Sequence, residues 1–135
     1  MIRLYTDAAV KGNPGPAGVG VLFLTDNGQN QLTFPLKDTW NNHHAEFQAV
    51  VLGLQALIDN ELTEEMVFFH TDSHIVAQSI DKEYVKDKNA KPYLEQILKL
   101  IDQFPIVTTT WIPQAKNKGA DNLARQALQQ AIKMK

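Results

Sequence analysis

The sequence has no cysteine among its 135 residues. Disulfides are thereby excluded, and so is any metal site built on thiolates. A chain without cysteine suits a reducing compartment. Long apolar runs are also missing, and the stretches present fall far short of the ~20 residues needed to cross a bilayer. The opening Met1-Ile2-Arg3-Leu4-Tyr5-Thr6-Asp7 lacks the basic-then-apolar layout of a secretory leader. No internal repeat, low-complexity tract or linker interrupts the chain. With 44% hydrophobic and 21% charged residues, it has the balance of a compact unit that buries a core without staples. The expectation is a single domain over 1–135, soluble, cytoplasmic and monomeric, with no membrane association and no obligate protein partner.

Basic surplus is lacking too. The net charge of −2 argues against indiscriminate binding to nucleic acid. Its distribution is uneven. Residues 1–80 carry three basic side chains (Arg3, Lys11, Lys37) against nine acids, whereas residues 81–135 carry ten against six. Acids gathered in one part and lysines in another suit a metal cluster beside a phosphate-facing patch. On charge alone, an uneven solvated surface explains the pattern as well.

What is present is a change of period along the chain. Ile2 to Ala8 is a short β-prone run, stopped by the turn-rich Lys11-Gly12-Asn13-Pro14-Gly15-Pro16. Gly18 to Thr25 resumes as a strand, and Asp26-Asn27-Gly28 supplies a hairpin turn. Gln31 to Leu36 returns as a third strand, with Pro35 near its end marking an edge. Phe47, Val50, Val51, Leu54, Leu57 and Ile58 then recur at helical spacing, predicting a helix over 43–60. Met66 to Thr71 has the length of a buried strand. Ser73 starts another helix, Pro92 stands as the first residue of the next, and Val107 to Ile112 is a β-branched strand. Leu123, Ala124, Ala127, Leu128, Ala131 and Ile132 make the stripe of a last helix. Strands and helices interleave after a meander, which predicts an α/β fold with a mixed sheet flanked by helices.

Most acids fall at helix ends or on polar faces, but four do not. Asp7 closes the first strand, Glu46 lies in the first turn of the apolar helix, Asp72 follows the buried run Val67-Phe68-Phe69-His70-Thr71, and Asp121 lies in the first turn of the last helix. Strand ends and helix starts are where open α/β sheets place their sites. Each position also has a structural use alone: Glu46 and Asp121 favour helix dipoles, Asp72 suits an N-cap and Asp7 a turn. Convergence of all four needs a cation, since two carboxylates about 4 Å apart repel by about 4 kcal/mol at an effective dielectric of about 20. Oxygen-only ligands suit Mg²⁺ or Mn²⁺.

Four blocks in order carry a family resemblance. Tyr5-Thr6-Asp7 with Lys11 to Gly18, Asn42-His43-His44-Ala45-Glu46-Phe47, His70-Thr71-Asp72-Ser73, and Trp111-Ile112-Pro113 with Asn117 to Ala124 together resemble type I ribonuclease H, from about residue 2 to 130. The resemblance implies a five-stranded mixed sheet, a three-strand antiparallel meander plus two parallel strands, with helices on both faces. It implies that Asp7, Glu46, Asp72 and Asp121 are the catalytic ligands of two Mg²⁺ ions, with Mn²⁺ as a possible substitute. Asp7 would bridge the ions, one serving the attacking water and the other the leaving 3′ oxygen. The implied activity is endonucleolytic cleavage of the RNA strand of an RNA–DNA hybrid, giving 5′-phosphate and 3′-hydroxyl ends. Gly12, Asn13, Asn42, His43, His74, Asn117 and Lys118 fall where the family contacts its substrate. Readout through the 2′-hydroxyl and helix shape makes cutting nearly independent of sequence.

The chain departs from the pattern in three places. The segment Pro113 to Ala120, where many members carry a histidine, has none, and Asn117 and Lys118 stand there instead. His43 takes a place where asparagine is common. Residues 81–92 hold Lys82, Lys86, Lys88 and Lys91 among Asp81, Glu83 and Asp87, with no tryptophan and no room for the extra basic helix of some members. Hybrid affinity is therefore expected to be modest and salt-sensitive. His43 and His44 are expected to cap or face solvent, His70 to be a satisfied core histidine, and Trp40 and Trp111 to pack. Two further readings keep the fold: a catalytically weak or silent hybrid-binding module, and a nuclease for a different nucleic acid.

Overall fold

The computed structural model describes residues 1–134. Five strands and four α-helices follow one another as β1 (Ile2–Val10), β2 (Ala17–Thr25), β3 (Gly28–Pro35), α1 (Asn42–Asp59), β4 (Val67–Thr71), α2 (His74–Lys82), α3 (Lys91–Ile101), β5 (Val107–Trp111) and α4 (Lys118–Lys133). A single 3-10 turn, Gln114–Lys116, precedes α4. The strands lie in the order β3-β2-β1-β4-β5. β1, β2 and β3 form an antiparallel meander, and β4 and β5 add in parallel to β1. β3, the strand with Pro35, is an edge, as its missing donor requires.

Two pairings of β1 end at different places. Its antiparallel ladder with β2 runs to Val10–Ala17, whereas its parallel ladder with β4 stops at Tyr5–His70. Beyond Tyr5 the central strands part. This corrects the reading of Asp7 as the close of a strand: it lies within β1, at the parting of β1 from β4, and forms no turn. Glu46 is also shifted. Asn41 caps α1, its side chain accepting from the His44 backbone N–H at 2.7 Å, so the helix starts at Asn42 and Glu46 falls in its second turn. The dipole explanation for Glu46 thereby loses its footing, because that effect fades past the first turn. Pro92 is the second residue of α3, after Lys91.

The core lies between the sheet and α1, where Leu4, Phe23, Phe47, Leu54, Leu57 and Phe69 are nearly or fully inaccessible. Each such side chain contributes about 1.5–3 kcal/mol by leaving water. Helices α2 and α3 pack beside α1, and α4 lies across β1, β2 and β3. Gly18 and Gly20 on β2 let α4 settle directly on the sheet. A Cβ on Gly20 would collide with the Ala120 carbonyl oxygen and the Ala124 nitrogen. None of the helices among the described residues is long and apolar enough to cross a membrane.

Candidate active site

Four elements bring the four singled-out acids to the place where β1 and β4 part. Asp7, only 4% exposed, stands opposite Gly20 in the β1–β2 ladder. Because Gly20 admits the first turn of α4, Asp121 comes beside Asp7 and acts on it. Asp72 follows β4 directly. Ser73 caps α2 by accepting from the Val76 N–H, so Asp72 is freed from the capping role open to it. The indole Nε1 of Trp111 donates to the Asp72 carbonyl oxygen at 3.0 Å, tying the segment to the end of β5. Glu46 arrives from α1, whose start is pinned by the Asn42 N–H donating to Asn13 Oδ1 at 3.0 Å. The turn that carries Asn13 needs Gly12 at φ 85°, a left-handed conformation natural to glycine.

Asp7, Glu46 and Asp72 each offer an oxygen, and these lie within 4.8 Å of one another. Asp121 is outside that trio but raises the proton affinity of both Asp7 and Asp72. Burial first, then the charges of Asp72 and Asp121, pushes the Asp7 carboxyl up to about 8. Burial followed by the charges of Asp7 and Asp72 holds Glu46 well above the usual carboxylate range. Asp72 is raised chiefly by burial, against a lowering hydrogen bond from Asn117. Among the described residues no lysine or arginine pairs with Asp7, Glu46 or Asp72; Arg125 Nε lies 3.2 Å from Asp121 Oδ2 on the outer side. Crowded acids with only oxygen donors and no protein cation among them fit a hard divalent ion. Asp7 thus belongs to the inner trio and also interacts with Asp121.

The other candidates are dispersed around this cluster. Gly12, Asn13, Asn42, His43, His74 and Lys118 are exposed. Asn117 is not. It is 2% exposed, and its Nδ2 donates to the Thr6 carbonyl at 3.0 Å and to Asp72 Oδ2 at 3.2 Å, so of the residues expected to contact substrate it is the one that is buried. His74 stacks on Trp111 with centroids 4.2 Å apart, and that tryptophan is 41% exposed rather than packed inside. His43 faces solvent, while His44 Nε2 pairs with Asp87 Oδ2 at 2.8 Å and joins α1 to the α2–α3 loop. His70 stacks on Tyr5 at 4.5 Å. Two contributors escaped the sequence reading. Arg125 stands four residues after Asp121, the spacing of a helical ion pair. Gly20 showed only as a glycine inside a strand, which signals a close approach.

Residues 5–127 match the family described as reverse transcriptase-like. The chain is 46% identical over 129 residues to EbsB of Enterococcus faecalis, a hydrolase by name, covering 96% of this chain and 95% of that one. It is 32% identical over 146 residues to a ribonuclease H of Desulforamulus reducens, covering 96% of this chain and 88% of the relative. Among solved structures, LC11-RNase H1 in complex with an RNA/DNA hybrid superimposes with a TM-score of 0.88 at 27% identity, covering 98% of this chain and 99% of that one. With its five-stranded sheet, its carboxylate cluster and these relatives, the chain belongs to the ribonuclease H family of nucleases.

Proposed function

We propose that the protein is a type I ribonuclease H that hydrolyses the RNA strand of RNA–DNA hybrids. Two Mg²⁺ ions, replaceable by Mn²⁺, would be held by Asp7, Glu46, Asp72 and Asp121. The observation that carries this reading is the trio of Asp7, Glu46 and Asp72, with oxygens within 4.8 Å of one another and no protein cation between them. When bound, the ions supply Lewis acidity to the attacking water and to the leaving 3′ oxygen. The chain's own part is to fix the ligands before substrate arrives. Asp7 comes from the sheet, Glu46 from α1, Asp72 from the end of β4 and Asp121 from α4, so relative positions are set by packed elements rather than by loops. In the net reaction the water oxygen joins phosphorus and the P–O3′ bond breaks. A proton then passes to the 3′ oxygen, leaving 5′-phosphate and 3′-hydroxyl ends.

Exposure supports the proposed substrate contacts. Asn13 and Asn42, tied to each other, and Gly12, His43 and His74 present polar groups toward a duplex, and Lys118 opens α4 with a positive charge. Such contacts read backbone and 2′-hydroxyls rather than base identity. The protein is proposed to act as a cytoplasmic monomer of one domain. A second reading, a hybrid-binding module with little or no turnover, has one observation in its favour: residues 113–120 contain no histidine.

The test is incubation with end-labelled hybrid, double-stranded RNA and single-stranded RNA in Mg²⁺, Mn²⁺ and EDTA, beside Asp72→Asn. Ion-dependent cutting of the hybrid alone, absent in the variant, is the expected result. Binding of the hybrid without cutting under either ion would favour the silent module. Cutting of another substrate in preference would reassign the specificity.

A further inference from the structure

Asn117 is the only described residue with a buried side-chain polar atom that lacks a partner, its Oδ1. The same side chain is 2% exposed, yet it spends both amide hydrogens, one on the Thr6 carbonyl and one on Asp72 Oδ2. Thr6 is on β1 and Asp72 directly follows β4, both just past the Tyr5–His70 rung where β1 and β4 part. The amide therefore fills the gap where another rung would have stood and holds a carboxylate of the cluster at the same time. Its orientation has no alternative, because a flipped amide would set Oδ1 against two acceptor oxygens.

Buried polar atoms without partners are rare in folded proteins. An apolar side chain here would avoid the orphaned Oδ1, so the side chain is present for its two donors. An aspartate would repel Asp72, and a serine carries a single O–H that cannot serve both acceptors. We propose that Asn117 is a positioning residue for Asp72. It ties the carboxylate to the β1 backbone so that Asp72 meets Asp7 and Glu46 in a geometry ready for a divalent cation. The inference rests on the reading of these carboxylates as cation ligands, and it assigns Asn117 a role distinct from substrate contact.

The test is Mn²⁺ titration of wild type, Asn117→Ala and Asn117→Leu, followed by electron paramagnetic resonance well below the thermal midpoints, with no substrate present. Loss of an orienting partner weakens metal affinity by about tenfold or more, and that loss is expected in both variants. With hybrid, kcat is expected to fall while KM is unchanged, since Asn117 reaches no substrate. Equal Mn²⁺ affinity in folded variants, or a rise in KM alone, would overturn the proposal even if their thermal midpoints drop. Should both variants fail to fold, wild type decides the matter by nuclear magnetic resonance. The Asn117 side-chain NH₂ signals are expected to be protected from exchange and to shift when Mg²⁺ is added. Freely exchanging, unresponsive signals would overturn it. Wild type that binds no Mn²⁺ would remove the cation reading and this inference together, whereas binding that is indifferent to Asn117 removes this inference alone.

Discussion

Asp7 and Gly20 face each other across the β1–β2 ladder, and the missing side chain of one is what brings a partner to the other. Gly20 gives the first turn of α4 room against the sheet, and that turn carries Asp121. Gly20→Ala is therefore expected to push α4 outward. Overpacking of this kind destabilises by about 1–3 kcal/mol, readable by urea denaturation. Hybrid cleavage at a temperature where the variant is folded should fall further than stability explains. An unchanged midpoint and rate would show that the close approach is dispensable.

The raised carboxyls make a statement about stability against pH. Asp7 takes up its proton near 8 in the folded chain but near 3.8 when unfolded, and Glu46 and Asp72 shift in the same direction. Between those values the folded state holds more protons than the unfolded one, so stability falls as pH rises. In EDTA the thermal midpoint is expected to drop from pH 5 to pH 8. Saturating Mg²⁺ should flatten that slope, since the cation replaces the protons, and at 100 times its Kd should add about 2.7 kcal/mol. A midpoint in EDTA that climbs over this range would contradict the burial and crowding of the trio.

Neutralising one acid separates chemistry from folding. Asp7→Asn and Glu46→Gln are each expected to abolish hybrid cleavage. In EDTA at pH 8 they should match or exceed wild type in thermal midpoint, because each removes a crowded charge. Near-normal cleavage by either variant in Mg²⁺ would disprove its role as a ligand.

Arg125 offers a contrasting case. Its pair with Asp121 is an i,i+4 contact with the arginine side chain 67% exposed, screened by water and salt. Arg125→Ala is expected to alter stability by no more than about 0.5 kcal/mol. A larger loss in denaturant titration would mean that Arg125 shapes the start of α4 beyond this pair.

Much of the fold was written in local periodicity. The meander, the edge marked by Pro35 and the change to helical spacing at Phe47 all follow from near neighbours. What escaped depends on distant pairing. That β1 continues to Val10 is decided by β2, and that it parts from β4 after Tyr5 is a property of two strands more than sixty residues apart, so Asp7 could not be placed at the parting. The start of α1 is set partly by Asn13, 29 residues before Asn42, which moved Glu46 out of the first turn. Asn117 looked like a loop residue and is buried, because its partners Thr6 and Asp72 lie 111 and 45 residues away.

The most direct measurement is anomalous diffraction from crystals of the wild-type protein soaked in Mn²⁺. Two peaks are predicted, one among Asp7, Glu46 and Asp72 and the other between Asp7 and Asp121. Mn²⁺ absent from Asp7, or bound only at surface acids such as Glu64, would contradict a catalytic centre built on these four carboxylates.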